Sequence, residues 1–190
     1  FRGNLFSAQF NPHLVQRHIL YRDGATFRTK DEDFFTSQDV DLHVTDVMED
    51  ADGSLLVLDT GAWYLHGCPV SRIAKPEFKG AVYRVRRKGA PRIEDPWGKK
   101  LNLDALPASE LAKLLGDPRP AVRDRALDRL VEAGAAAVEP LMEAARESSS
   151  TEVRAAVVFG LGRINHPRAA EGVRSAMSDT HLDVRIAAAR

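Results

Sequence analysis

Along the first 87 positions apolar and polar residues alternate in short runs, and no apolar stripe of helical period lasts three turns. This spacing predicts strands over residues 4–10, 14–21, 26–35, 42–48, 54–59 and 80–87. The breaks fall at Asn11-Pro12, at Asp23-Gly24, at Asp52-Gly53 and in a longer loop after residue 59. Short strands in this order predict an antiparallel meander, as in a sandwich, a barrel or propeller blades. Asp50-x-Asp52-Gly53 shares the opening of a calcium loop but lacks the rest of that spacing, so a tight hairpin turn is the expectation there.

Beyond residue 106 the period changes to that of amphipathic helices, and the sequence matches itself at an offset of 31. The segments beginning Asp117, Ser148 and Asp179 align without gaps, each reaching a Val-Arg pair at Val122-Arg123, Val153-Arg154 and Val184-Arg185. Ala126, Leu130 and Gly134 then correspond to Val157, Leu161 and Asn165, so the apolar stripe and the helix stop recur as well. Two helices per unit are expected: 108–116 and 121–133, 136–147 and 151–164, 167–178 and 182 onward. A hairpin this short cannot bury its own stripe, so each unit depends on stacking against the next. Arg123, Arg154 and Arg185 are expected to form a structural ladder that caps or bridges neighbouring turns. Gly160 and Gly162 are expected to permit close helix packing.

Between the two patterns, Pro91 and Pro96 with neighbouring glycines interrupt both periods. The organisation expected is therefore a β segment over residues 1–87, a linker over 88–105 with Trp97 as its packing anchor, and a helical array over 106–190. Phe1 is not a start methionine, and the chain stops inside a helical pattern, so a piece of a longer protein with further repeats is expected. Lysine plus arginine equals aspartate plus glutamate at 27 each, which leaves no global field to draw nucleic acid or an anionic membrane. Cys68 is the only cysteine, which excludes an internal disulfide and a cysteine-rich zinc site. No apolar run approaches a membrane span.

The recurring acidic turn, Val-Arg pair and leucine positions resemble HEAT repeats across residues 106–190. In the β half, Asn4 to Phe10, Val15 to Leu20, Asp46-Val47, the run from Asp52 to Asp59 and Gly80 to Val85 resemble the closing blades of quinoprotein glucose and sorbosone dehydrogenase propellers. More closely, Asp46 to Trp63 with Gly67-Cys68-Pro69 and Ile73 to Pro76 resembles bacterial membrane-bound dehydrogenase-like proteins, in which such a propeller precedes HEAT repeats and often a cytochrome c domain. The resemblance implies a multidomain chain, β then α: closing propeller blades followed by an α-solenoid. It also implies a periplasmic or cell-envelope setting, pyrroloquinoline quinone as cofactor, and haem only in a domain beyond this segment. The relatives supply cations to the acidic quinone, where this chain has Asn11 and the run Leu42-His43-Val44-Thr45-Asp46.

His43, at the start of an inner strand, is the candidate general base for oxidising a sugar or alcohol, with a satisfied structural histidine as the other reading. Asp46 and Asp59 either orient it or a metal, or cap turns, with turn capping the expectation. Asn11, Thr45 and Lys75 are the cofactor-binding candidates. Trp63, Tyr64 and His66 are the substrate-binding candidates, as a pocket rim or a packed loop. No metal site is expected. Two functions follow: a dehydrogenase-like segment whose HEAT repeats serve as a protein-interaction scaffold, or a non-catalytic propeller that binds carbohydrate or protein with a HEAT assembly arm.

Overall fold

In a computed structural model, residues 3–24, 26–61 and 77–190 are described. The chain divides into two compact units, residues 1–91 and 92–190.

Among its described residues the first unit has strands as its only regular elements. Strands β1 (Asn4–Gln9), β2 (Leu14–Asp23) and β3 (Thr26–Thr36) form one antiparallel sheet, and β4 (Val44–Glu49), β5 (Leu55–Asp59) and β6 (Ala81–Val85) form a second. All six fall where alternation and turn residues predict them. Gly53, at φ 74°, closes the β4–β5 hairpin with its N–H donating to the Asp50 carbonyl, a backbone angle that favours glycine. Val15, Leu42, Val44 and Val57 are buried together, with Phe6, Phe34, Phe35 and Val85 packed around them. One face of the first sheet therefore carries the core. The other face presents Leu5, Ser7, Gln16, His18 and Asp31, because residues directly opposite one another share a face.

Both sheets contain a bulge, one between Val15 and Gln16 and one between Val44 and Asp46. The second leaves Thr45 unpaired and exposed at the start of β4.

The second unit is helical: α1 (Ala108–Lys113), α2 (Pro120–Ala133), α3 (Ala135–Glu147), α4 (Thr151–Arg163), α5 (Pro167–Ala176) and α6 (Leu182–Ala188). Short 3-10 turns cover Leu103–Ala105 and Leu114–Gly116. Pro120 and Pro167 open their helices, where a missing N–H costs nothing, and Ser150 accepts from the Val153 N–H to start α4. Fully buried Leu115, Leu130, Leu141 and Val157 lie in one continuous core spanning α1 to α4, and a second cluster of Val158, Val184 and Ala187 carries the packing on to α6.

The prolines and glycines of the expected linker do not make it a free connector. From residue 92 it belongs to the helical unit. Asp95 accepts from the Lys99 and Lys100 N–H groups and faces Arg119, Leu103 is buried in the helical core, and Gly98 lies so close to Val122 that a Cβ there would stand 2.5 Å from it. The Trp97 ring is half exposed; the anchor is its carbonyl, which with that of Gly98 accepts from Arg125. Of the two glycines in α4, Gly160 is buried against Leu127 and permits close packing. Gly162 faces open space, so the packing role expected of it does not hold.

Candidate functional site

His43 stands where β4 begins, in a corner assembled from three chain segments. Its N–H donates to Asp59 Oδ1 at 2.8 Å, and the same oxygen accepts from the Gly61 N–H at 2.8 Å. Asp59 thus holds backbone rather than the imidazole, and Asp46 likewise accepts from the Val47 N–H. These are turn-capping roles. The His43 carbonyl accepts from the Thr60 N–H and hydroxyl, and Gly80 passes so near the Asp59 carbonyl that no side chain fits.

The His43 ring packs 4.4 Å from Phe10 and 5.1 Å from His13 between centroids. Its Nδ1–H donates to the Asp41 carbonyl at 3.2 Å, and His13 Nδ1–H donates to the Leu42 carbonyl. In the neutral ring each Nε2 is then the acceptor nitrogen, with no partner among the described residues. That electronic state suits a base, so the arrangement permits proton abstraction at His43 Nε2. His13 was not singled out from the sequence; it follows Asn11-Pro12, takes a positive φ of 58°, and its ring reaches the Leu42 carbonyl just before β4.

Asn11 is exposed at the same turn and Thr45 is exposed in the β4 bulge. Trp63, Tyr64, His66, Cys68 and Lys75 lie outside the described residues. Among those described, the corner offers the carboxylates of Asp41 and Asp59, two histidines and neutral Asn11 and Thr45. A tricarboxylate quinone needs cations in a partly desolvated place, and this donor set does not fit it.

The β4–β5 turn is an ion-pair cluster. Arg84 reaches Asp50, Asp52 and the Ser54 hydroxyl, and Arg86 reaches Asp52 at 2.6 Å. The Ser54 hydroxyl, then the two arginines, hold the Asp52 carboxyl below its ordinary range. Both carboxylates of the Asp50-x-Asp52 turn are thereby occupied by protein groups, and the Arg84–Arg86 run meets its charge locally.

In the helical unit the offset of 31 reappears as geometry. Arg123 NH1 donates to the Asp117 carbonyl, Arg154 NH1 to the Ser148 carbonyl and Arg185 NH1 to the Asp179 carbonyl, each six residues back. The side chain at each of those upstream positions accepts from the N–H two residues on: Asp117 from Arg119, Ser148 from Ser150, Asp179 from His181. The ladder of structural arginines is thus a repeated turn device. Arg154 does more, because its Nε and second terminal nitrogen reach the Asp179 carboxylate of the next unit at 2.8 and 3.1 Å. Arg154, followed by the His181 N–H, holds Asp179 below the ordinary carboxyl range.

Between α3, α4, α5 and α6 lies a groove of about 480 Å³, its apolar lining including Met142, Ala145, Val157, Leu161 and Ala176. Arg146 stands at its rim, exposed and with no ion-pair partner among the described residues.

Residues 138–190 match the HEAT repeat family, which coincides with α3 to α6 and the seam just described. No curated protein matches the chain. The C-terminal region is thus helical and carries HEAT-type repeats over residues 138–190, preceded by antiparallel β-sheets. No helix among the described residues is long and apolar enough to cross a membrane.

Proposed function

We propose that the chain works by recognition: the β unit is closing blades of a propeller-type, dehydrogenase-like protein, and the HEAT array docks a protein partner in its groove. The observation that carries the docking is the apolar cleft between successive units with Arg146, which has no ion-pair partner among the described residues, at its rim. Together they suit a partner segment that presents an aliphatic side chain next to a carboxylate. Two three-stranded meanders in sequential order support the propeller reading, as does the resemblance of residues 46–63 to membrane-bound dehydrogenase-like proteins. The same resemblance supports a cell-envelope location.

The test compares proteins recovered with the full-length protein and with its Ala145→Glu and Arg146→Glu variants, each checked for helical content by circular dichroism. A partner lost from both variants supports the groove. A partner retained by both overturns it.

Redox chemistry is the second reading, favoured by the Nε2 of His43, which has no partner among the described residues. The donor set around His43 does not suit pyrroloquinoline quinone, so no step is drawn through it. Reconstitution of full-length protein with that quinone and a panel of sugars, read by dye reduction, is expected to give no turnover. Turnover abolished by His43→Ala in a folded protein would establish the dehydrogenase instead.

A further inference from the structure

The polar face of the first sheet carries a second constellation, apart from the His43 corner and independent of the recognition reading. The β1–β2 register sets Ser7 opposite Gln16 and Leu5 opposite His18, so Ser7 and His18 are diagonal neighbours on one face. The β2–β3 register sets His18 opposite Asp31. Ser7 Oγ lies 2.8 Å from His18 Nε2, and His18 Nδ1 lies 2.8 Å from Asp31 Oδ1. An ionised carboxylate only accepts, so Nδ1 carries a proton; in the neutral ring Nε2 is then the acceptor, and the Ser7 hydroxyl donates to it. The His18 hydrogen bond is the foremost cause holding Asp31 below the usual carboxyl range, which keeps it ionised near neutrality.

These are the relations that activate a serine: nucleophile to base, and base to a group that orients it. The neighbours add to the case. Gln16, directly across from Ser7, has its Oε1 held by Gln9 Nε2 at 2.9 Å, which leaves its own NH2 group to donate toward an oxyanion beside Ser7. Leu5, 57% exposed beside His18, together with Leu20 on the same face, offers an apolar strip for a short acyl chain.

We propose that Ser7, His18 and Asp31 form an acyl-transfer site that hydrolyses accessible esters of short acyl chains. Ser7 Oγ bonds to the ester carbonyl carbon as His18 Nε2 takes its proton. The carbon–alkoxide bond then breaks, and the leaving alcohol takes that proton. Water adds to the acyl-serine, giving a proton to His18; Ser7 is expelled and recovers it, and the acid leaves. Ester and water become acid and alcohol, with no other reactant. Ser7 and His18 are the catalytic residues, and Asp31 is the positioning residue that fixes the imidazole.

The test treats the full chain with a fluorophosphonate and with p-nitrophenyl acetate. Peptide mapping is expected to place one fluorophosphonate adduct on Ser7. Ser7→Ala and His18→Ala are expected to lower p-nitrophenyl acetate turnover at least about 100-fold, the scale on which general base catalysis operates. Ser37→Ala is expected to leave it unchanged. Asp31→Asn is expected to lower turnover at saturating ester without raising the KM, and Asp31→Glu to restore part of it, which a purely structural aspartate would not show. Should any variant fail to fold, Ser7→Cys provides a separate reading: the thiol at position 7 is alkylated by iodoacetamide faster with His18 present than with His18→Ala. Folded wild-type protein with Ser7 unmodified, or turnover unchanged in folded Ser7→Ala, overturns the proposal.

Discussion

At the scale of a residue, Arg154 ties one unit to the next in a way that Arg123 does not. All three ladder arginines cap a turn carbonyl, but Arg154 also meets a carboxylate one unit on, where Arg123 does not, because position 148 is serine and position 179 is aspartate. Arg154 and Asp179 are each about 15% exposed, so solvent screens this pair less than a surface one. Removing the guanidinium with Arg154→Met is expected to cost about 1.5–3 kcal/mol, the range for hydrogen bonds to charged groups. Arg123→Met is expected to cost less, and the comparison is read from urea midpoints. Ser148→Asp supplies the missing carboxylate opposite Arg123 and is expected to raise the midpoint. Asp179 also fixes the sign of an acid response. Its folded pKa is depressed, so its contribution is fully present above the unfolded carboxyl value of about 3.9 and is lost as pH falls through the folded value. Urea midpoints between pH 6 and pH 2 should therefore fall less steeply for Asp179→Asn than for the wild type.

Helix α4 separates two glycines that sequence alone treats alike. A Cβ at Gly160 would meet Leu127 at 2.9 Å and Leu141 at 3.5 Å, whereas one at Gly162 meets nothing. Gly162→Ala is therefore expected to stabilise by roughly 0.5–1 kcal/mol through helix propensity. Gly160→Val is expected to destabilise by about 1–3 kcal/mol through overpacking, with both measured by chemical denaturation. The contrast shows where sequence reading stops. Strand and helix positions were legible because alternation and the 31-residue repeat are local patterns, and the ladder was legible because it repeats. What Gly160 touches was not legible, since it depends on how α2 and α3 pack. The Ser7–His18–Asp31 relation was hidden for a similar reason. Its members are 11 and 13 positions apart and share no motif, and they meet only through the register of two hairpins. His43 was found from its place at a strand start, yet Asp59 serves its backbone and His13 its ring, an arrangement set by the turn at residues 11–13.

For the whole molecule, the consequence lies in where the helical unit begins. The repeat pattern starts at residue 106, but the packed unit starts at residue 92. Prolines and glycines break a period without preventing a segment from being bound, and this one is bound at several points. Arg119 donates to the Asp95 carbonyl and lies 3.8 Å from its carboxylate, Arg125 takes the carbonyls of Trp97 and Gly98, and Leu103 is 3% exposed inside the helical core. Arg119 also pairs with Asp117 at 2.8 Å, so the segment closes over the turn that opens α2. A protein beginning at residue 106 would leave Arg119 with one partner fewer and expose the apolar side chains that Leu103 covers. Losing Leu103 alone removes about 1.5–3 kcal/mol of burial, and the lost hydrogen bonds add to it. The 92–190 fragment is therefore expected to melt as a cooperative helical domain by circular dichroism. The 106–190 fragment is expected to be less stable by roughly 3 kcal/mol, with a clearly lower urea midpoint. Equal midpoints for the two would mean that residues 92–105 only rest on the array, and the stable unit would then begin at residue 106, where the repeat pattern starts.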